Sequence, residues 1–147
     1  MGLVQSIVAA FFPSAKRNSI SSDPRHQLGI KGEKLAARAL RKQGYKVLYR
    51  NYRAPKGGEV DIVCRDGDTL VFIEVKTRTS DAFGSPAEAV TGAKQALITK
   101  GALSWLRLLD SPDIHFRFDV VEVTLAAGKP EISVIKDAFP LPERYTY

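Results

Sequence analysis

The sequence predicts a mixed α/β sandwich, with a sheet held between helices in the order α-β-β-β-α-β and one further short strand at the end. Three observations predict it. The run from Val60 to Arg78, V-D-I-V-C-R-D-G-D-T-L-V-F-I-E-V-K-T-R, crowds β-branched and aromatic residues on both sides of Asp66-Gly67, a type I′ turn signal, and so reads as a tight hairpin. A helical pattern precedes this hairpin and another follows it, each with its own start and stop signals. With 147 residues, 44% of them hydrophobic, the chain can bury one core.

Residues 1–27 are expected to be a mobile or loosely docked tail, and residues 28–147 a single domain. The apolar run from Val4 to Phe12 has its basic residues, Lys16 and Arg17, after it rather than before it, which is the wrong order for a secretion signal. No apolar run approaches the ~20 residues of a membrane span, so no stable membrane insertion is expected. One cysteine, Cys64, cannot form an internal disulfide and fits a reducing cytoplasm. His26 and His115 are too few and too scattered for a zinc site.

Asp23-Pro24 has the form of an N-cap followed by proline at the first helical position, and the helix should run to about Gln43, closed by Gly44. Leu35, Ala36, Ala39 and Leu40 mark its buried face, while Lys34, Arg38, Arg41 and Lys42 face away. Glu33 falls with the apolar group, since Ala36, Ala37 and Leu40 follow it at helical spacing. An acid at the edge of an apolar stripe is either a functional group or a first-turn glutamate favoured by the helix dipole. Tyr45 to Tyr52 alternates as a first strand, with Pro55, Gly57 and Gly58 in the loop to the hairpin. Ser85-Pro86-Ala87-Glu88 is a capping box that opens a second helix running to about Leu109. Lys94 and Gln95 lie in its first half, where they can face the hairpin. Phe116 to Thr124 alternates as a strand, Gly128 to Pro130 turns, and Ile132 to Ile135 forms the last short strand.

The chemistry lies in the hairpin. Reversal about Asp66-Gly67 sets Asp61 opposite Phe72 and Glu59 opposite Glu74, and alternation puts Glu59, Asp61, Val63, Leu70, Phe72, Glu74 and Lys76 on one face. Val60, Ile62, Cys64, Val71, Ile73 and Val75 fill the other. Apolar residues on both faces imply cover on both sides, so the acids and the lysine are partly buried. Like charges facing each other destabilise a sheet unless a proton or a cation neutralises them. A hard divalent cation, Mg²⁺ or Mn²⁺, held by Asp61, Glu74 and Glu59 resolves the conflict, and it would activate water against a phosphodiester beside the Lys76 ammonium. A plain salt-bridge ladder of Asp61, Glu74 and Lys76 is the competing reading.

Net charge is +6, and its distribution points to a polyanion. From Lys34 to Gly58 the basic residues Lys34, Arg38, Arg41, Lys42, Lys46, Arg50, Arg53 and Lys56 occur without one acid, interleaved with Tyr45, Tyr49 and Tyr52. The tyrosines are candidates for base stacking as well as for the core.

With these residues in view, the chain resembles the YraN-like family of bacterial proteins. The match lies in G-I-K-G-E-K-L-A (29–36), N-Y-R (51–53), G-G-E-V-D-I-V (57–63), F-I-E-V-K-T-R (72–78), A-V-T-G-A-K (89–94) and R-F-D-V-V (117–121), and covers about residues 28 to 139. That family is similar in turn to restriction-endonuclease-like nucleases of the PD-(D/E)xK type and to archaeal Holliday-junction resolvases. The resemblance implies a restriction-endonuclease-like mixed sheet sandwiched by helices. It also implies Glu33 as the first-helix acid, Asp61 and Glu74 as metal ligands and Lys76 as the catalytic lysine, with Val60 standing where the named motif has proline. Gln95 joins the candidate catalytic group. Lys34, Arg38, Arg41, Lys42, Arg50, Arg53, Lys56, Arg78 and Lys94 are the candidate nucleic-acid contacts. Two functions follow as expectations: a divalent-metal-dependent endonuclease acting on structured or branched DNA, with DNA favoured over RNA, or a non-catalytic nucleic-acid-binding or assembly protein that keeps the fold. A homodimer is compatible with either.

Overall fold

The computed structural model describes residues 23–79, 90–110, 112–126 and 128–143. The expected tail therefore lies almost wholly outside the described residues, as does the Ser85–Glu88 capping box. Among the described residues seven elements follow one another: α1 (Pro24–Lys42), β1 (Lys46–Arg53), β2 (Glu59–Asp66), β3 (Thr69–Arg78), α2 (Gly92–Leu108), β4 (Phe116–Thr124) and β5 (Glu131–Phe139). The five strands form one sheet in sequence order. Neighbours are antiparallel except β3 and β4, which run parallel because α2 carries the chain across between them. This is the expected α/β sandwich, with β5 a full strand rather than a short one.

One helix covers each face. Ala36, Ala37 and Leu40 of α1 pack on Ile62, Cys64, Val71, Ile73, Val121 and Val123. Ile98, Ala102, Trp105 and Leu106 of α2 pack on Tyr52, Val60, Val63, Leu70, Phe72, Phe118 and Val120. Central strands buried on both faces explain the continuous apolar runs in the sequence. α1 starts where the sequence puts it: the Asp23 carboxylate accepts from the Arg25 amide, and Pro24 leads the first turn. Thr91 caps α2 by accepting from the Lys94 amide, so this helix begins at Gly92, later than the expected capping box.

The hairpin differs from the expectation in register. Asp66 pairs with Thr69 and Ile62 with Ile73, so the turn is centred on Gly67-Asp68. Gly67 has φ 59 and Asp68 is not in the left-handed region, the pattern of a II′ turn with glycine first. Asp66 stays in the strand because its carboxylate is held by Arg117 of β4 at 2.8 Å. A slip of two residues keeps every side chain on its face, yet it changes the partners. Carried one step past Ile62↔Ile73, this register sets Asp61, not Glu59, beside Glu74.

A second departure lies at Val60, which packs on α2 with Val63 instead of alternating with Ile62 toward α1. Between the pairs Arg50↔Ile62 and Tyr52↔Val60 stand Asn51 and Asp61, and Asn51 is left-handed at φ 58. This single backbone irregularity reverses the pleat on both strands. It also lets Asp61 leave the regular ladder, and its carboxylate accepts the Val75 amide at 2.8 Å.

Candidate functional site

At the irregular end of the β2–β3 hairpin three elements deliver charged side chains to one place. Glu74 reaches it from β3, Asp61 and Glu59 from β2, and Lys94 from the first turn of α2. Glu74 is buried, 4% exposed, and its Oε2 has no hydrogen-bond partner. Burial first, then the charge of Asp61 and contact with it, push the Glu74 carboxyl up to about 8. At neutral pH the Glu74 carboxyl therefore keeps its proton.

Two ammonium groups flank the pair. Lys76 Nζ lies 3.8 Å and Lys94 Nζ 3.6 Å from Glu74 Oε1. Lys94 also donates to Glu59 Oε1, and that hydrogen bond holds the Glu59 carboxyl below its ordinary value against the opposing effect of burial. On Lys94 burial acts to lower the ammonium's value, and the Glu59 hydrogen bond with the charges of Glu74, Glu59 and Asp61 outweighs it, so the value is raised. Glu59 is thus engaged by cations, with Arg53 at 3.4 Å on its other oxygen. The expected Glu59–Glu74 pairing does not occur: the register moves Glu59 away from Glu74, and the Lys94 ammonium lies against Glu59 and 3.6 Å from Glu74.

Glu33 comes from α1 on the opposite side of the sheet. It is buried, and desolvation raises its carboxyl above the ordinary value, aided by the charge of Asp61 and opposed by Arg50. Asn51 donates to Glu33 Oε1 at 2.8 Å and Arg50 at 3.3 Å. Such close support is feasible because α1 lies nearly on the sheet. A Cβ on Gly32 would stand 1.9 Å from Thr77 Oγ1, so only glycine permits this approach.

Other candidates are placed elsewhere. The Gln95 amide donates to the Val90 carbonyl and closes its own helix start. Arg78 pairs with Glu122 at 3.8 Å. Tyr45 and Tyr52 are core residues, and half-buried Tyr49 packs edgewise on Tyr52, with Trp105 5.7 Å away. Lys34, Arg38, Arg41, Lys42 and Lys56 are exposed, as expected. Lys31, Lys34, Arg38 and Arg41, at helical spacing along α1, line a groove with Arg50, whose guanidinium holds Glu33. Through Arg50 the groove therefore reaches Glu33. Asn51 and Lys31 are the residues that sequence reasoning missed. The N-Y-R motif contained Asn51, and Lys31 continues the α1 stripe one turn before Lys34.

The donors suit a hard cation. Carboxylate oxygens dominate, and a buried oxygen of Glu74 has no partner. Among the described residues no group of three or more acidic, histidine or cysteine side chains is gathered as a ligand set; the contact is the Asp61–Glu74 pair, with Glu59 drawn aside by Lys94. Asp61 and Glu74 would therefore be the protein's ligands.

Residues 32–123, from the start of the Glu33 segment through β4, match Uncharacterised protein family UPF0102. The chain belongs to this family. A UPF0102 protein of Geobacter metallireducens is 51% identical over 114 residues, covering 78% of this chain and 93% of that protein. UPF0102 protein GSU0650 of Geobacter sulfurreducens is 50% identical over 115 residues, covering 78% and 89%. A UPF0102 protein of Nocardia farcinica is 46% identical over 116 residues, covering 78% and 91%. The site segments carrying Glu33, Asp61, Glu74, Lys76 and Lys94 all fall within the UPF0102 match. No helix among the described residues is long and apolar enough to cross a membrane.

Proposed function

We propose that this UPF0102 protein is a divalent-metal-dependent endonuclease of the cytoplasm that hydrolyses phosphodiester bonds in structured or branched DNA. One observation carries the reading: two carboxyl groups in contact, one buried with an unpartnered oxygen, and two ammonium groups within 4 Å of it. Leaving a buried acceptor unpaired costs on the order of 1–3 kcal/mol, which a salt-bridge ladder gives no reason to bear. Asp61 and Glu74 would hold Mg²⁺ or Mn²⁺, which when bound supplies charge stabilisation at the phosphate and lowers the pKa of a coordinated water. The remaining roles belong to the chain. The Val75 amide fixes Asp61, while Asn51 and Arg50 fix Glu33 on the α1 side. Lys76, half-buried two residues along β3, presents a compact positive charge to the developing charge on the phosphate. The α1 groove seats the sugar–phosphate backbone and leads it to Arg50. At 19 residues and ~1.5 Å per residue, α1 spans a single duplex arm, so gripping a branched substrate calls for a homodimer.

A non-catalytic nucleic-acid-binding role has one observation on its side, the diversion of Glu59 onto Lys94. Calorimetric titration with Mg²⁺ and Mn²⁺, with cleavage assays on a four-way junction, a flap, duplex and single strands, separates the two. Asp61→Ala and Glu74→Ala should each abolish metal binding. Lys76→Ala should keep it while losing at least ~10²-fold in cleavage rate, and Lys76→Arg should not restore the rate. Equal metal affinity in wild type and both acid variants would overturn the site. Metal and nucleic-acid binding without cleavage of any substrate would leave the binding role.

A further inference from the structure

We infer that Lys94 is the resident counter-cation of the acidic site, and that a divalent cation binding at Asp61 and Glu74 displaces its ammonium. The inference rests on the metal-site reading above and adds an exchange within it. Lys94 Nζ contacts Glu59 Oε1 and lies 3.6 Å from Glu74 Oε1, so one ammonium bridges acids on two strands. Among the described residues no other cation in the site does this. Lys76 approaches only Glu74, and Arg53 meets only the outer oxygen of Glu59 with a side chain 80% exposed.

The position of Lys94 is set by its helix. Thr91 caps α2 on the Lys94 amide, and α2 lies against β2 so closely that a Cβ on Gly101 would meet the Glu59 backbone at 3.0 Å. Backbone and β2 are therefore locked together, while the four-carbon stem above them can swing. The side chain keeps 25% of its surface exposed, which leaves it a path to solvent.

Charge accounting requires the swing. Without metal, the Lys94 ammonium already lies against Glu59 and 3.6 Å from Glu74, with the Lys76 ammonium 3.8 Å from the same Glu74 oxygen. A divalent ion adds two charges to a setting that already holds its counter-ions. Repulsion falls most on the cation that touches two of the carboxylates, and that is Lys94, which meets Glu59 and the ligand Glu74. Glu59 is then released toward the metal, which gives the third acid its place.

The test uses the full chain with Mn²⁺ as the probe and no nucleic acid present. Lys94→Met should bind Mn²⁺ on the order of tenfold more tightly than wild type, the size of an ordinary coupling between sites, whereas Lys94→Arg should not. In wild type, acylation of the Lys94 amine followed by mass spectrometry should quicken several-fold on adding Mn²⁺, with exposed Lys100 unchanged. That second readout needs no variant to fold. Lys94→Met binding no more tightly than wild type, or Lys94 labelling no faster with Mn²⁺ bound, would overturn the exchange while leaving the metal site standing. Failure of wild type and Lys94→Met alike to bind Mn²⁺ would overturn the metal-site reading and the exchange with it.

Discussion

Glu74 is the residue on which the metal-free protein should reveal the site. Its carboxyl is pushed from 4.5 to about 8 in the folded chain, whereas in the unfolded chain it ionises at the ordinary value. Between those values the folded state holds a proton that unfolding releases, so stability falls as pH rises through the window and levels off above it. The loss should be on the order of a few kcal/mol. In chelator, the melting temperature of wild type should drop from pH 5 to pH 8, and Glu74→Gln should remove most of that slope. Parallel slopes in the two proteins would show that Glu74 ionises normally. Asp61, Glu74 and Lys76 were legible in the sequence because strand alternation puts them on one face whatever the register, and Glu33 because an acid interrupts an apolar stripe. Asn51 was not, since a left-handed residue inside a strand leaves no periodic trace. Gln95 misled because its helical position is compatible with facing the hairpin, while its amide finds the nearer Val90 carbonyl.

At the scale of elements, the packing of α1 on the sheet separates two glycines three residues apart. Gly32 lies against Thr77, where a Cβ would meet Oγ1 at 1.9 Å and Cγ2 at 2.8 Å, whereas Gly29 has nothing within 4 Å. Gly32→Ala should destabilise by ~1–3 kcal/mol through overpacking. Because Glu33 is the next residue, the variant should also disturb the Asn51–Glu33 bond. Gly29→Ala should stabilise by ~0.5–1 kcal/mol, since alanine is the better helix former. Urea midpoints for both variants, and for Gly32→Ala combined with Thr77→Ala, check this. Thr77→Ala should recover part of the loss, and no recovery would mean that the clash is not the cause. Element order and strand positions were readable from hydrophobic periodicity and turn residues, including β4 to the residue. The hairpin register was not. Asp-Gly favours one turn in isolation, and the Arg117 ion pair that keeps Asp66 in its strand comes from an element 51 residues away. The length of β5 depended likewise on a distant partner, the stacked Phe118–Phe139 pair with centroids 4.8 Å apart.

For the whole molecule, the net charge of +6 says only that a polyanion is welcome; the fold decides where. The sequence shows a single basic block from Lys34 to Gly58, and the sheet divides it. Arg50 and Arg53 turn to Glu33 and Glu59, whereas Lys34, Arg38 and Arg41 join Lys31 along the α1 groove, and Lys42, Lys46 and Lys56 stay exposed outside it. If the groove seats a phosphate backbone, replacing Lys34, Arg38 and Arg41 together by alanine should weaken binding to every duplex sequence alike. The plot of log affinity against log salt should become shallower by up to ~0.9 for each lost contact on B-DNA. Replacing Lys42, Lys46 and Lys56 removes the same formal charge from outside the groove and should change the slope much less. Sequence preference should remain flat in both, because phosphate contacts position a duplex without reading its bases. With Tyr45 and Tyr52 in the core and Tyr49 packed beside them, single strands should gain nothing from stacking on these rings and should follow the shallower slope of about 0.7 per contact. Equal slopes for the two triple variants would mean that net charge alone attracts the nucleic acid, and that the α1 groove is not where it lies.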